Sequence, residues 1–231
     1  KLLNDLELLY QGLDQFHSGM YWYTPKDSVD RAFEEAKAKI NKDMNILEFH
    51  KLIAPLVSLS REGHTDVILP KNVNEQINAK SRFIPLTLVF LGKKLFCVKN
   101  GSDFQDFALE GKEIERINGE TPVEIVNKIS NLNPSDGFIK TVKYYRLTRF
   151  SFSAFYFYFY GEKYQFEIKF KGIEEPVVLN SLKIEEINHN LRQRYPEEET
   201  IKENELLEFK ILNNSTAYLG VHTFSNSAID Q

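Results

Sequence analysis

Apolar residues recur at helical spacing through the first part of the chain. Leu2, Leu6, Leu9, Leu13 and Phe16 step by four and three, which places them on one helix face. Thr24-Pro25-Lys26-Asp27 offers a capping hydroxyl, a proline suited to the first helical position and an acid in the first turn. It predicts a second helix with Val29, Phe33, Ala36 and Ile40 as its apolar stripe. Asn45-Ile46-Leu47-Glu48 reads as a capping box opening a third helix, with Phe49, Leu52, Ile53, Leu56 and Val57 facing inward. Pro55, inside that pattern, is expected to kink the helix or end it early.

From Phe83 the period changes. Residues 83–91 and 95–98 read as strands around Gly92-Lys93, and Asn100-Gly101 is a turn signal. Ile114 and Ile117 predict a short strand closed by Asn118-Gly119. Thr121-Pro122-Val123-Glu124 then caps a helix whose apolar face is Val123, Val126 and Ile129. Ile139, Val142 and Tyr145 predict a further helix, and residues 152–160 and 164–170 a hairpin across Gly161-Glu162-Lys163. Ile184, Ile187, Leu191 and Tyr195 mark a helix ended by Pro196 and an acidic run. Strands 207–212 and 217–224 close the pattern, joined at Asn213-Asn214-Ser215. The expected fold class is α+β: an N-terminal helical bundle over 1–70, a mixed α/β domain over 71–180, and an incomplete third unit over 181–231.

Charge and composition narrow the chemistry. A net charge of -4 with 27% charged residues argues against nucleic acid as a partner, which requires a basic face. No apolar run approaches the roughly 18 residues of a membrane span. A single cysteine, Cys97, excludes an internal disulfide, and its apolar strand implies a buried, inert thiol. The stretch 150–170 holds eleven of the thirty aromatics, on both faces of the expected strand, so core packing is its expected role. Gly-x-Ser-x-Gly, P-loop, Gly-x-Gly-x-x-Gly and His-Glu-x-x-His patterns are absent, so no cofactor is expected. Glu62, His64 and Asp66 alternate, but no second cluster joins them, and His17, His50, His189 and His222 fall in no ligand spacing. No metal site is assigned.

Two segments carry more. Glu62-Gly63-His64-Thr65-Asp66-Val67-Ile68-Leu69-Pro70 ends the helical region, and Gly111-Lys112-Glu113-Ile114-Glu115-Arg116-Ile117-Asn118-Gly119-Glu120-Thr121-Pro122-Val123 follows downstream. In this order they resemble the front half of serine peptidases of the tail-specific (C-terminal processing) and tricorn-like family. The resemblance implies a helical region, a PDZ-like peptide-binding domain and then a catalytic domain carrying the serine. The stretch from Asn214 to Phe224 resembles that last domain's first hairpin, with the nucleophile expected beyond Gln231.

The implied function is the substrate-handling part of a serine endopeptidase acting on peptides or proteins, inactive without its missing catalytic domain. A periplasmic or secreted location is implied with it. His64 would take the serine proton as general base, since histidine titrates near neutrality. The tricorn-like branch carries Ser-His where this chain has Gly63-His64, and the other branch uses a serine-lysine dyad. Peptide would add along Leu95, Phe96, Cys97 and Val98, with side-chain pockets from the helix bearing Val123 and Val126. The usual glycine-rich carboxylate loop is replaced by Ser102-Asp103-Phe104-Gln105. The rival reading is a non-catalytic peptide-binding scaffold.

Overall fold

A computed structural model describes residues 1–41, 43–148, 150–196 and 207–221. It divides into two compact units, residues 1–191 and 192–231. The acidic run at 197–199 and residues 222–224 of the last expected strand lie outside the described residues.

The first unit opens with α1 (Leu2–Phe16), α2 (Lys26–Lys39) and α3 (Ile46–Val57). Leu6, Leu13, Val29, Phe33, Ala36, Leu56 and Val57 form one core, as their spacing predicts. The Asn45–Glu48 capping box is present in full, and Pro55 stays inside α3, near its end. Lys26 Nζ ties α1 to α2 through Asp14 (2.6 Å) and the Tyr10 hydroxyl (2.8 Å). A further helix follows, α4 (Lys71–Lys80), with no buried residue. Its weak apolar pattern explains why helical spacing did not announce it.

Five antiparallel strands come next in the order β1 (Leu86–Leu91), β2 (Lys94–Asn100), β3 (Glu113–Ile117), β4 (Gln165–Phe170) and β5 (Val177–Asn180). Residues 83 and 182 add a bridge between the chain before β1 and the chain after β5. Between β3 and β4 run α5 (Pro122–Ile129), α6 (Thr141–Arg146) and α7 (Phe150–Tyr160). The unit closes on α8 (Ile184–Arg194), whose last residues pass the unit boundary. The α+β class is what the chain adopts.

The hairpin expected over 152–170 is a correction: its first half is the helix α7 and its second half is β4. Aromatics on every face satisfy strand alternation and helical spacing equally, so period alone does not decide. Burial does. Phe152 and Tyr156, one turn apart, face the sheet core with Phe90 and Phe166, while Phe157 meets Phe83 in a second cluster. A helix apolar all round must be covered on all sides, and this one is wedged between α3 and the sheet. Lys51 of α3 lies 3.9 Å over the Phe159 ring, and Ser153 Oγ donates to the Ile84 carbonyl at 3.0 Å. Gly161, at φ 73°, donates its N–H to the Phe157 carbonyl and stops the helix. The turn signal was a helix stop. Through α7 the helical region and the sheet share one unit.

In the second unit β6 (Leu207–Asn213) pairs with β7 (Thr216–Val221). Leu207, Phe209, Ile211 and Leu219 share one face and are 62–68% exposed.

Candidate functional site

After α3 a short turn over Ser58–Ser60 brings the chain to Arg61, which sits in the left-handed region at φ 51°. An arginine there carries backbone strain, so its surroundings must hold it. Gly137 does so, donating its N–H to the Arg61 carbonyl at 2.8 Å and accepting from Arg61 Nη1 at 3.4 Å. The guanidinium lies 4.4 Å from the centre of the Phe138 ring.

The next residues are pinned almost peptide by peptide. The Gly63 N–H donates to Asp136 Oδ1 at 2.7 Å, and Arg146 Nη2 donates to the Gly63 carbonyl at 2.9 Å. A Cβ at Gly63 would stand 3.0 Å from Asp136 Oδ1, so glycine lets the carboxylate reach the backbone. Glu62 accepts from the His64 N–H at 2.9 Å and from the Thr65 hydroxyl at 2.5 Å. The Thr65 hydroxyl first, then the His64 N–H, hold the Glu62 carboxyl below the usual glutamate range. Because Thr65 gives its proton to Glu62, its oxygen accepts from His17 Nε2 at 2.9 Å. That assigns the His17 proton to Nε2.

The result is an exposed His64 ring on a backbone that cannot wander. Among the described residues nothing hydrogen-bonds to that ring. Its neighbours Thr65 and Asp66 do not orient it: Thr65 serves Glu62 and His17, and Asp66 accepts from the Val67 N–H at 2.7 Å. Beside the loop lies a cleft of about 490 Å³ lined by His17, Trp22, Tyr23, Ser60, Glu62 and Asp136, among others. His50 is structural: its Nε2 meets the Val67 carbonyl at 3.0 Å and its ring meets Tyr158 edge-on. No cluster of metal-ligating side chains occurs among the described residues. No described helix is long and apolar enough to cross a membrane.

The residues expected to line a peptide groove are mostly buried or half-buried. Leu95, Cys97 and Val126 are at most 1% exposed and belong to the sheet core. Phe96 and Val123 are half-buried, and Val98 is exposed. Strand β2 is paired on both sides, with β1 along its length and with β3 at Leu95 and Phe96. The Cys97 N–H and carbonyl are also taken, by Lys112 and Gly111. An added peptide strand needs a free edge, and the terminal strands of the sheet order are β1 and β5, whose flanking residues Phe83 and Leu182 already pair with each other. The buried face of α5 is Ile125, Val126 and Ile129, one residue round from the face that put Val123 inward. Cys97 is the inert thiol expected, its pKa pushed up to about 12 by burial.

Spacing also gave no sign of the cations around α6. Lys143 is half-buried, and its pKa is lowered by burial and then by Arg61 and Lys140.

No family model matches the sequence, and no curated protein matches it. Solved structures resemble it, two of them forms of one protein. One is mature CPAF, a chlamydial serine protease, with a TM-score of 0.49 and 13% identity over 78% of this chain and 34% of that chain. The other is a serine-to-alanine mutant of CPAF, with a TM-score of 0.46 and 13% identity over 78% of this chain and 33% of that chain. The chain thus spans about a third of the length of those structures.

Proposed function

We propose that this chain is the substrate-handling part of a serine-type endopeptidase of the tail-specific and tricorn-like kind, periplasmic or secreted, with His64 as general base. The serine and the oxyanion hole would come from residues outside this chain. The motif order from Gly63-His64-Thr65 to the segment around Asn118-Gly119 motivates the reading. The observation that carries it is the pinned loop: Asp136, Arg146 and Glu62 fix the peptides on either side of His64 while its ring stays exposed. A base that must meet a serine from another domain needs a fixed backbone and an open ring.

Peptide capture, if by strand addition, uses a terminal strand of the sheet and not β2. An apolar cleft of about 290 Å³ beside β1, lined by Leu86, Thr87, Ala154 and Ile187, offers a side-chain pocket there.

The test is proteolysis by the intact gene product on an unstructured protein, with a serine-directed inhibitor as control. His64→Ala should lower kcat/KM by roughly 10²–10⁴-fold with folding unchanged. Near-normal turnover in the folded variant would transfer the base role to a lysine. The rival, a non-catalytic scaffold, is favoured by one observation: the His64 ring lacks an orienting partner among the described residues. Absence of inhibitor-sensitive turnover in the intact product would decide for it.

A further inference from the structure

On the side of Arg61 facing α5 and α6 lies a second cleft, of about 240 Å³. Arg61, Lys140 and Lys143 line it together with the buried hydroxyl residues Ser130 and Ser135, and no carboxylate is among the lining residues. None of the ion pairs among the described residues involves these cations. Of the acids beside the lining residues in the chain, Asp136 accepts from the Gly63 N–H, and Glu62 from the His64 N–H and the Thr65 hydroxyl. Arg61 Nε is buried without a hydrogen-bond partner. Buried cationic donors are ordinarily paired, because leaving them unpaired costs their hydration. Here the backbone of Arg61 is strained and held by Gly137, so the guanidinium is fixed in place before any ligand arrives.

We propose that this cleft is a carboxylate-binding site for peptides, with Arg61, Lys140 and Lys143 as the cationic wall and Phe138 and Ile139 as an apolar shelf. The shelf decides between anions. Both residues are more than half exposed beside the cations, which suits a carboxylate carried on an apolar group better than a free inorganic ion. The volume lies below the roughly 300–1,000 Å³ of small-molecule sites, room for one residue end and not for a large cofactor. A C-terminal carboxylate and a glutamate or aspartate side chain present the same chemistry here. The site rests on the reading above only in taking its ligand to be a peptide.

The probes are an acetylated pentapeptide ending in leucine as free acid, the same peptide as C-terminal amide, and that amide with one internal glutamate. Each is titrated calorimetrically against the whole chain at low salt. At least one of the carboxylate peptides binds, and the uncharged amide binds at least about tenfold more weakly. Binding of the free acid assigns the terminal carboxylate; binding of the glutamate amide assigns the side chain. Lys143→Gln and Lys140→Gln each weaken binding by up to about tenfold, while Lys143→Arg keeps most of it. Melting curves establish that each variant is folded, and Lys143→Arg serves as the positive control for it.

Equal binding of amide and acid, no binding at all, or unchanged affinity in both folded glutamine variants would overturn the site. So would inorganic phosphate binding as tightly as the peptides, which would make it a simple ion site. His64→Ala leaves this affinity unchanged. Loss of binding in the lysine variants with normal turnover, or the reverse, separates this proposal from the catalytic one.

Discussion

The His64 loop and helix α7 differ in how much apolar burial stands behind their directed contacts. The loop buries little and is fixed by directed polar contacts: one carboxylate on the Gly63 N–H, one guanidinium on its carbonyl, and one glutamate on the next two residues. Helix α7 also makes directed contacts, through Ser153 and the Tyr156, Tyr158 and Tyr160 hydroxyls, but it adds bulk that the loop lacks, with Phe152, Tyr156 and Phe157 buried on different sides. A polar scaffold leaves its central side chain available. An apolar one consumes its side chains in the core. This difference separates the part of the molecule that can present a reactive group from the part that stabilises it.

The sharpest way to break the comparison is to cut into α7. Phe152 is fully buried against Phe90 and Tyr156, so Phe152→Ala should cost about 3–5 kcal/mol. For a unit of this size that lowers Tm by roughly 10 °C. A calorimetric scan showing a shift of only a degree or two would mean that the aromatic run does not carry the core.

Cys97 reports on the same core without a mutation. It is buried in β2, and its thiol is held near a pKa of about 12 by burial, so the reactive thiolate is scarce and shielded. At pH 8 a thiol reagent should label native protein at least roughly a hundredfold more slowly than urea-unfolded protein. Comparable rates would show β2 to be open at an edge, as the peptide-groove expectation for Leu95 to Val98 required.

That expectation meets a strand paired on both sides, for a reason that bears on what a sequence can tell. The helices α1 to α3 were legible because their stripes recur over several turns and their caps are explicit, as at Asn45 and Glu48. The strand β2 was legible as a strand, but its neighbours were not. Pairing with β3 is set by residues more than ten positions away, and no local pattern states which strand lies at an edge. The α7 stretch was misread because an all-aromatic run has no polar face to fix its period. Around His64 the motif was visible and its supports were not. Asp136 and Arg146 lie far along the chain, and they meet Gly63 only because α6 folds back on the loop.

Those supports give the next test. Asp136→Ala removes the acceptor for the Gly63 N–H, an exposed contact whose net worth is small. Global stability should hardly change, while amide exchange at residues 63–65 should quicken by roughly two- to tenfold. On the proposed function, kcat of the intact product should fall and KM stay, because a looser loop would misplace the proposed base and leave substrate contacts intact. Unchanged exchange at Gly63 would show that Arg146 and Glu62 suffice to fix the loop.

The smallest effect is a dependence on pH confined to the same loop. The folded state holds the Glu62 carboxyl below its unfolded value, chiefly through the Thr65 hydroxyl and then the His64 N–H. A depressed folded pKa means that the contribution is complete above the unfolded value of about 4.3 and is lost as pH falls through the folded one. Exchange protection of the His64 amide, corrected for the intrinsic rate, should therefore be flat from neutral pH to about 5 and decline only below about 4. Protonation would also free Thr65 from its duty as donor, and the His17 contact would loosen with it. Glu62→Gln should remove the acid step and lower protection modestly at neutral pH, since an amide oxygen still accepts one bond but carries no charge. If the acid step persists in Glu62→Gln, another carboxylate governs it; Asp136 on the Gly63 amide is the one to replace next.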